Sequence, residues 1–239
     1  AAVYFGGEEH LVRVDLNEFS QPTDVERLIT DGAHNAESLT AQIAKQPFSV
    51  VLLDEIEKAH PNVLNTLLQL LDEGVLRDIN NRPISFRDAI VIATSNAGAD
   101  KIRAYIDAGK KLEEFEQPFI NELIDSGQFK PEFLNRFDEI VVFRPLEPAE
   151  LLQIVDLDIN GINKTLGSQK VSVHLADDAK QLMVKTGYDP RLGARPMRRV
   201  IQRTVEDLVA KRMLSGDVPP GSVIEIGAED VRAALTSDS

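Results

Sequence analysis

The chain has 239 residues, of which 43% are hydrophobic and 27% are charged, a composition typical of a globular protein with one large core or two modest ones. Its 26 basic and 39 acidic residues give a net charge of −13, which argues against binding to nucleic-acid backbones or to anionic membranes. The absence of cysteine excludes disulfides and thiol chemistry, and no apolar stretch has the length of a membrane span.

The first part of the chain predicts strands that alternate with helices. Residues 11–16 alternate apolar and charged side chains, which predicts a strand with one face in solvent. Helices are predicted over residues 17–29, with Thr23 as a candidate N-cap, and over residues 39–45. Residues 49–53 form an apolar run, which predicts a strand buried on both faces as in a parallel sheet.

The next segments continue the alternation. Residues 62–73 carry apolar side chains at helical spacing and precede Gly74, which predicts a helix with a glycine C-cap. Residues 89–96 and 139–143 predict two further buried strands, and residues 100–128 are rich in helix formers. This order favours an α/β fold with a parallel sheet flanked by helices.

Beyond residue 148 the pattern becomes mostly helical. We therefore predict two domains, a large α/β subdomain over residues 1–146 and a small helical subdomain over residues 147–239. The predicted elements of the second domain are helix 148–166, strand 170–175, helix 177–185, helix 196–214 and strand 222–226.

Two adjacent carboxylates, Asp54 and Glu55, directly follow the apolar run. Open α/β sheets bind ligands beyond the carboxyl ends of their strands. There one carboxylate can hold Mg²⁺ together with substrate phosphates, and the next can orient an attacking water. The alternative is a strand that ends in solvated acids, but the buried aliphatic run favours a nucleoside-triphosphatase site. The matching phosphate loop, G-x-x-x-x-G-K-[ST], does not occur in these residues.

Two further side chains are candidates for the same chemistry. Asn96 closes the next apolar strand, where it can reach a γ-phosphate or the attacking water, although Thr-Ser-Asn-Ala-Gly is also an ordinary turn. Arg136 follows a Pro-Glu turn and precedes a predicted strand, so it can reach a phosphate on another subunit as an arginine finger does. Its alternative role is a salt bridge to Asp138 or Glu139.

Arg195 lies at the start of the long predicted helix 196–214, where the helix dipole disfavours a cation. A nearby anion would explain its position, either a phosphate or a partner carboxylate such as Asp189. The four histidines are scattered without metal-ligand spacing, and no nucleophile elbow is present.

Taken in order, these segments resemble the second ATPase module of the Clp-type AAA+ unfoldases, the ClpB, ClpC and ClpA group. The similarity covers nearly the whole chain, over residues 11–226. The matching motifs are the Walker B stretch Val50-Val51-Leu52-Leu53-Asp54-Glu55-Ile56-Glu57-Lys58-Ala59-His60-Pro61, the sensor 1 stretch Thr94-Ser95-Asn96, the arginine-finger stretch Pro131-Glu132-Phe133-Leu134-Asn135-Arg136, and the sensor 2 stretches Gly187-Tyr188-Asp189-Pro190 and Gly193-Ala194-Arg195-Pro196.

The resemblance implies a cytoplasmic hexameric ring that uses ATP and Mg²⁺ to thread unfolded or aggregated protein substrates. It implies that Asp54 serves the Mg²⁺ ion and that Glu55 activates water. It also implies that Asn96 senses the γ-phosphate and that Arg136 completes a neighbour's site. Arg195 would couple the nucleotide to movement of the small subdomain.

Three departures from the family pattern qualify these expectations. The phosphate loop and its strand are expected before Ala1, so we expect the chain to begin inside the module, to bind ATP poorly on its own, and to leave strand 139–143 without its neighbour. The pore loop, residues 31–38, is short and has no aromatic side chain other than His34. The segment after Asn96 lacks the tripeptide containing Gly-Phe with which peptidase-linked members dock their peptidase. This favours a disaggregase over a member that works with a peptidase partner.

An alternative hypothesis is a non-catalytic AAA+-derived scaffold or adaptor in a larger assembly. The altered loop 31–38 favours it. The joint presence of Asp54, Glu55, Asn96 and two arginines disfavours it, since a scaffold has little physical need for that set.

Overall fold

The computed structural model describes residues 1–189, 193–215, 218–219 and 221–236. The chain forms two compact units, Ala1–Val142 and Phe143–Ser239. Each unit has a hydrophobic core of its own. In the part of the chain that the structure describes, no helix combines the length and the apolar character that a membrane span requires.

The first unit contains a small parallel sheet, a short hairpin and several helices. Its strands are β1 (Leu11–Asp15), β2 (Val50–Asp54), β3 (Val75–Arg77), β4 (Pro83–Ser85) and β5 (Ile90–Ala93). Its α-helices are α1 (Ala2–Phe5), α2 (Asp24–Ile29), α3 (Leu39–Lys45), α4 (Pro61–Glu73), α5 (Ala99–Asp107), α6 (Leu112–Asp125) and α7 (Pro131–Leu134). Single 3-10 turns cover Glu8–His10, Leu16–Glu18 and Ile56–Lys58.

The parallel sheet has the strand order β1-β2-β5, so β2 is its central strand. Asp15 pairs with Asp54 across β1 and β2, and Leu53 pairs with Ala93 across β2 and β5. Because all three strands run in the same direction, their carboxyl ends meet at one edge of the sheet. The strands β3 and β4 pair antiparallel in a separate hairpin.

The best predicted helices carry clear local end signals. The α4 helix starts at Pro61, where the His60 ring accepts a hydrogen bond from the Asn62 N–H at 3.1 Å. It ends at Gly74, which adopts φ 67° as a left-handed C-cap. The α3 helix is capped by Ser38, whose hydroxyl accepts from the Ala41 N–H at 3.2 Å. Both helices are confirmed.

The helix predicted over residues 17–29 was wrong in its first half, where only a 3-10 turn forms before α2 begins at Asp24. Side chains there bind the backbone in place of helical carbonyls: Asp15 accepts from the Asn17 N–H at 3.0 Å, and Asp24 from the Gln21 N–H at 2.7 Å. Pro22 also lacks the N–H that a continuous helix needs. Thr23 takes the N-cap position without a side-chain capping bond.

Two strand predictions need correction. Residues 139–143 do not form a strand: only Val142 is buried, whereas Phe143 is 83% exposed. A strand needs a ladder partner, and none of the described strands pairs with this segment. The β5 strand exists but is not buried on both faces. It pairs only with β2 among the described strands, and Ile92 is 46% exposed.

The second unit is mostly helical, with one pair of short parallel strands. Its core includes Val155, Met183, Met197, Ile201 and Val205, each fully buried. Its elements are α8 (Pro148–Leu166), a 3-10 turn (Gly167–Gln169), β6 (Ser172–Leu175), α9 (Asp177–Gly187), α10 (Arg195–Leu214), β7 (Val223–Ile226) and α11 (Ala228–Thr236). The predicted fold class, a parallel α/β sheet flanked by helices and followed by a mostly helical part, is confirmed.

Candidate functional site

The structure brings Asp54, Glu55 and Asn96 to the same edge of the parallel sheet. Asp54 is the last residue of β2, and Glu55 follows it immediately. Asn96 lies three residues beyond Ala93, the last residue of the adjacent strand β5. Since β2 and β5 are parallel neighbours in register, both chain exits lie at the edge where α/β sheets bind ligands.

The Asp54 carboxylate is held from two sides. The Thr94 hydroxyl donates a hydrogen bond to its Oδ1 atom, and the Arg13 guanidinium forms an ion pair with its Oδ2 atom. Arg13 lies in β1, opposite Leu52, so it contacts Asp54 diagonally across the strand pair. Arg13 could not be identified from the sequence, because its contact with Asp54 depends on the register between two strands, which a single sequence does not reveal.

Glu55 has an uncommon backbone conformation, with φ 57° and ψ 51° in the left-handed region. Thr94 supports this conformation: its hydroxyl accepts from the Glu55 N–H at 3.2 Å, and its carbonyl accepts from the Ile56 N–H at 3.0 Å. The turn breaks the side-chain alternation of the strand directly after Asp54. The Glu55 carboxylate makes no hydrogen bond to any other part of the chain that the structure describes.

Glu57 connects the segment after β5 to the turn after β2. Its Oε2 atom accepts from the Ser95 hydroxyl at 2.8 Å, and its Oε1 atom accepts from the Asn96 backbone N–H at 3.3 Å. The Asn96 side chain is exposed, and its amide has no hydrogen-bond partner within the described ranges. Glu57 therefore positions Asn96 through its backbone and leaves the amide available. This role was not predicted, because nothing in the sequence pairs residues 57 and 96.

Arg136 is not at the sheet edge. Its Nε atom forms an ion pair with Asp72, so the predicted alternative partners Asp138 and Glu139 were wrong. Asp72 lies in the last turn of α4. The first residue of that helix, Pro61, follows Asp54 and Glu55 closely in sequence, so Arg136 pairs with the end of α4 that is farther along the chain from the two acids. Eleven residues of helix separate these two ends by about 16 Å. The Arg136 side chain is 47% exposed.

Arg195 is the first residue of α10 in the second unit, and it is exposed. It forms no ion pair with any residue that the structure describes, so Asp189 is not its partner there. The backbone of Asp189 instead accepts a hydrogen bond from the Gly193 N–H at 2.8 Å. Pro190, part of the quoted motif, lies outside the described residues.

The first residue of the loop 31–38, Asp31, stabilises the loop through hydrogen bonds. The Asp31 carboxylate accepts from the His34 N–H at 3.1 Å, contacts the His34 Nδ1 atom at 2.6 Å, and also accepts from the Asn80 amide. The hydrogen bond with the His34 ring is the main cause that lowers the pKa of Asp31, and Asn80 adds to it. The His34 ring itself remains exposed.

The residues at the sheet edge fit a nucleotide-bound Mg²⁺ ion. No group of three or more acidic or histidine side chains that could cage a metal occurs among the described residues. Mg²⁺ does not need such a cage, because it commonly binds through one or two carboxylates and substrate phosphates. Asp54 can supply that carboxylate, and Glu55 and Asn96 offer an acceptor and an amide beside it.

The chain is similar to known proteins over most of its length. The family profile "AAA domain (Cdc48 subfamily)" matches residues 1–140, and the profile "C-terminal, D2-small domain, of ClpB protein" matches residues 146–226. Chaperone protein ClpB of Meiothermus ruber is 40% identical over 95% of this chain and 27% of its own length. Chaperone protein ClpB of Aquifex aeolicus is 38% identical over 96% and 24%, and probable chaperone protein ClpB 1 of Chlorobaculum tepidum is 39% identical over 96% and 55%. The chain thus spans between about a quarter and about half of these relatives.

Proposed function

The chain belongs to the AAA family, as a second ATPase module of the Clp type, and from this premise we propose that it serves ATP-dependent remodelling of proteins. The observation that carries this proposal is the convergence of Asp54, Glu55 and Asn96 at the carboxyl edge of two adjacent parallel strands. We propose a disaggregase subunit that assembles into a ring and acts on unfolded or aggregated proteins. The ClpB names of the relatives support this class.

Each residue at the sheet edge has a proposed role. Asp54 would hold Mg²⁺ through its carboxylate, Glu55 would orient and deprotonate the attacking water, and Asn96 would donate a hydrogen bond to the γ-phosphate. When bound, Mg-ATP supplies the transferable phosphoryl group and a cation that neutralises its charge. Thr94 fixes the acid pair through its hydroxyl, and Glu57 fixes the Asn96 backbone.

The two arginines have proposed roles outside this edge. The exposure of Arg136 and its position near the far end of α4 support contact with a nucleotide on a neighbouring subunit. Arg195, an exposed cation at a helix start, is proposed to bind phosphate and to couple it to the small subdomain. We propose residues 1–146 and 147–239 as these two subdomains. The cysteine-free sequence supports a cytoplasmic location.

We propose that the 239 residues alone bind ATP weakly, because they contain no G-x-x-x-x-G-K-[ST] loop to hold the β- and γ-phosphates. Isothermal titration of the chain with Mg-ATP tests this point. Binding tighter than about 10 μM would contradict it, since such affinity needs a dedicated phosphate cradle.

The catalytic proposal is tested with Glu55→Gln in the natural polypeptide that carries these residues. Hydrolysis should fall by about 100-fold or more, because general-base catalysis is removed, while the affinity for ATP changes little. The control is Glu73→Gln, which removes one charge from the end of α4. A Glu55→Gln variant that hydrolyses ATP at the wild-type rate would refute the role of Glu55.

The altered loop 31–38 favours a second candidate function, the non-catalytic scaffold. Its only aromatic side chain is His34, so the aromatic grip expected of a threading loop is absent from it. A scaffold would retain assembly after Asp54→Asn and Glu55→Gln together, whereas an ATP-driven disaggregase would lose substrate remodelling. Recovery of an aggregated test protein by wild type and by this double variant separates the two functions.

A further inference from the structure

Arg13 and Asp54 form a charged pair on neighbouring strands at the candidate site. Arg13 lies in β1 opposite Leu52 of β2, and its guanidinium donates to the Oδ2 atom of Asp54, two residues further along β2. The other carboxylate oxygen, Oδ1, accepts from the Thr94 hydroxyl. Both oxygens of the carboxylate proposed to hold Mg²⁺ therefore already have donors. A cation that binds Oδ2 must share this atom with the guanidinium or displace the guanidinium from it.

A second carboxylate lies beside this pair. Asp15 pairs with Asp54 in the register of β1 and β2, which places their Cα atoms about 5 Å apart on adjacent strands. Asp15 accepts from the Asn17 N–H at 3.0 Å but forms no ion pair with any residue that the structure describes. Arg13 therefore balances one of two adjacent negative charges. If its charge were removed, the repulsion between the two carboxylates would favour the binding of a free divalent cation.

The Arg13 side chain can leave Asp54 without disturbing the core. It is 60% exposed, and the buried contacts of β1 come from the residues on either side of it, Val12 and Val14. The Asp54 side chain, in contrast, is only 23% exposed, and Thr94 still holds its Oδ1 atom when Oδ2 is released. An ion pair with an exposed member contributes little to folding stability. Breaking this pair therefore changes the charge at the site and leaves the strand in place.

Displacement of the guanidinium has different consequences for two kinds of cation. A free divalent cation breaks the ion pair and leaves the guanidinium with water as its new partner. A cation that carries phosphates brings an anion with which the guanidinium can pair, and the planar donors of guanidinium match phosphate oxygens well. The ion pair between Arg13 and Asp54 therefore disfavours a free cation more than a phosphate-bound one.

We propose that Arg13 is a positioning residue that acts through Asp54: it holds the carboxylate in place and disfavours a free divalent cation relative to one bound to phosphates. This inference rests on the proposed function in one respect, the assignment of Asp54 as the carboxylate for Mg²⁺. It adds a determinant of cation selectivity, which the proposed roles of Glu55 and Asn96 do not include.

The test measures how tightly Mn²⁺, a paramagnetic substitute for Mg²⁺, binds to the full ¹⁵N-labelled chain. Bound Mn²⁺ broadens nearby amide signals, so the signals of Asp54 and Thr94 report binding at this edge of the sheet. Arg13→Gln should bind free Mn²⁺ about 10-fold or more tightly than wild type, because a positive charge beside the carboxylate is removed. A merely structural role of Arg13 would weaken binding instead. Equal or weaker binding by Arg13→Gln would overturn the proposal.

Three further variants locate the effect and identify its cause. Asp54→Asn, added to Arg13→Gln, should abolish the gained affinity, and a gain that persists would place the binding elsewhere and refute the proposal. Arg13→Lys keeps the charge and should stay within about 3-fold of wild type. If it bound Mn²⁺ as tightly as Arg13→Gln does, the charge would not be responsible. Arg27→Gln is the matched control, since it removes a guanidinium that pairs with Asp24 at 3.4 Å, and it should leave the affinity unchanged.

Selectivity itself is measured by repeating the titration with Mn²⁺ complexed by inorganic tripolyphosphate. Arg13→Gln should gain affinity for free Mn²⁺ but not for the complex, and an equal gain for both would overturn the proposal. This result is distinguishable from failure of the proposed function. If wild type and Arg13→Gln bind free Mn²⁺ equally at Asp54, the selectivity proposal fails but the metal role of Asp54 stands. If the gain is found but the natural polypeptide hydrolyses no ATP, the proposed function fails and the selectivity stands.

Discussion

Thr94 organises the sheet edge through four hydrogen bonds. Its N–H donates to the Leu53 carbonyl at 2.9 Å, and its carbonyl accepts from the Ile56 N–H at 3.0 Å. Its hydroxyl donates to Asp54 and accepts from the Glu55 N–H. One side chain thus sets the position of both acids relative to β5. We infer that Thr94 is a positioning residue, since it acts through the acid pair.

Replacing Thr94 tests this inference. Thr94→Val keeps the shape but removes the hydroxyl, so both acids lose a partner and the proposed ATP hydrolysis by the natural polypeptide should fall about 10-fold or more. Thr94→Ser keeps the hydroxyl and should retain most of the rate. The kcat should change more than the KM, because positioning is lost rather than ground-state binding. Equal effects of valine and serine would contradict the hydroxyl's role.

The helices and strands differ in how well the sequence predicts them. The helices α4 and α8 were predicted closely because their signals are local, such as Pro at the first turn and glycine at the C-cap. Strand formation at residues 139–143 and the burial of β5 depend on partners distant in sequence, so both predictions were wrong. A hydrophobic run indicates that a segment is apolar, but it does not identify the strand or helix that packs against that segment.

The same contrast holds for the candidate site. The shared position of Asp54, Glu55 and Asn96 could be predicted because it follows from parallel strand ends alone. The contacts of Arg13 and Glu57 could not be predicted, since they require the strand register and the path of the loop after β5. The Asp72 partner of Arg136 depends on packing between segments far apart in the chain.

The first turn of α8 should make stability depend on acid pH. The Glu147 N–H donates to Glu150 at 2.8 Å, and Arg144 donates to both its oxygens at 2.9 Å, which together lower the pKa of Glu150. This contribution is present above the unfolded pKa and disappears as the pH falls through the folded pKa.

Glu150→Gln should therefore lower the thermal midpoint at about pH 7 and have little effect at about pH 3. Scanning calorimetry of wild type and variant at the two pH values measures the difference. An equal loss at both values would show that the carboxylate charge is not responsible, and that the capping geometry alone matters.

Two glycines of the second unit should respond oppositely to alanine. Gly187→Ala places a Cβ atom against the Met197 backbone and should cost about 1–3 kcal/mol of unfolding free energy. Gly161→Ala meets open space inside a helix and should gain about 0.5–1 kcal/mol. Urea unfolding, followed by the spectroscopic signals of residues in α9 and α10, measures both changes in unfolding free energy. Destabilisation by Gly161→Ala would show that another constraint holds this position.

At the scale of the whole molecule, the described chain consists of two units with separate cores. The core of the second unit consists of residues from its helices, from β6 and β7, and from connecting segments such as that of Val171. A domain with its own core can in principle fold alone. The first unit in contrast presents β5 with one unpaired side within the described part of the sheet.

We predict that Phe143–Ser239 expressed alone folds cooperatively. Its ¹H–¹⁵N spectrum should show the dispersion of a folded domain and overlay on the corresponding signals of the full chain. A collapsed spectrum, with signals only in the random-coil range, would mean that this segment needs the first unit in order to fold.

The left-handed backbone of Glu55 affects which substitutions a selection for thermal stability would favour at this position. An L-residue with a Cβ atom is strained there by about 1–2 kcal/mol, and glycine is not. A library screened only for heat resistance would therefore favour Glu55→Gly, and such a variant would have lost the carboxylate for which we propose a role in activating water. Thermal stability and the proposed ATP hydrolysis thus make opposite demands on this one position, so a selection for stability alone would favour the loss of that activity.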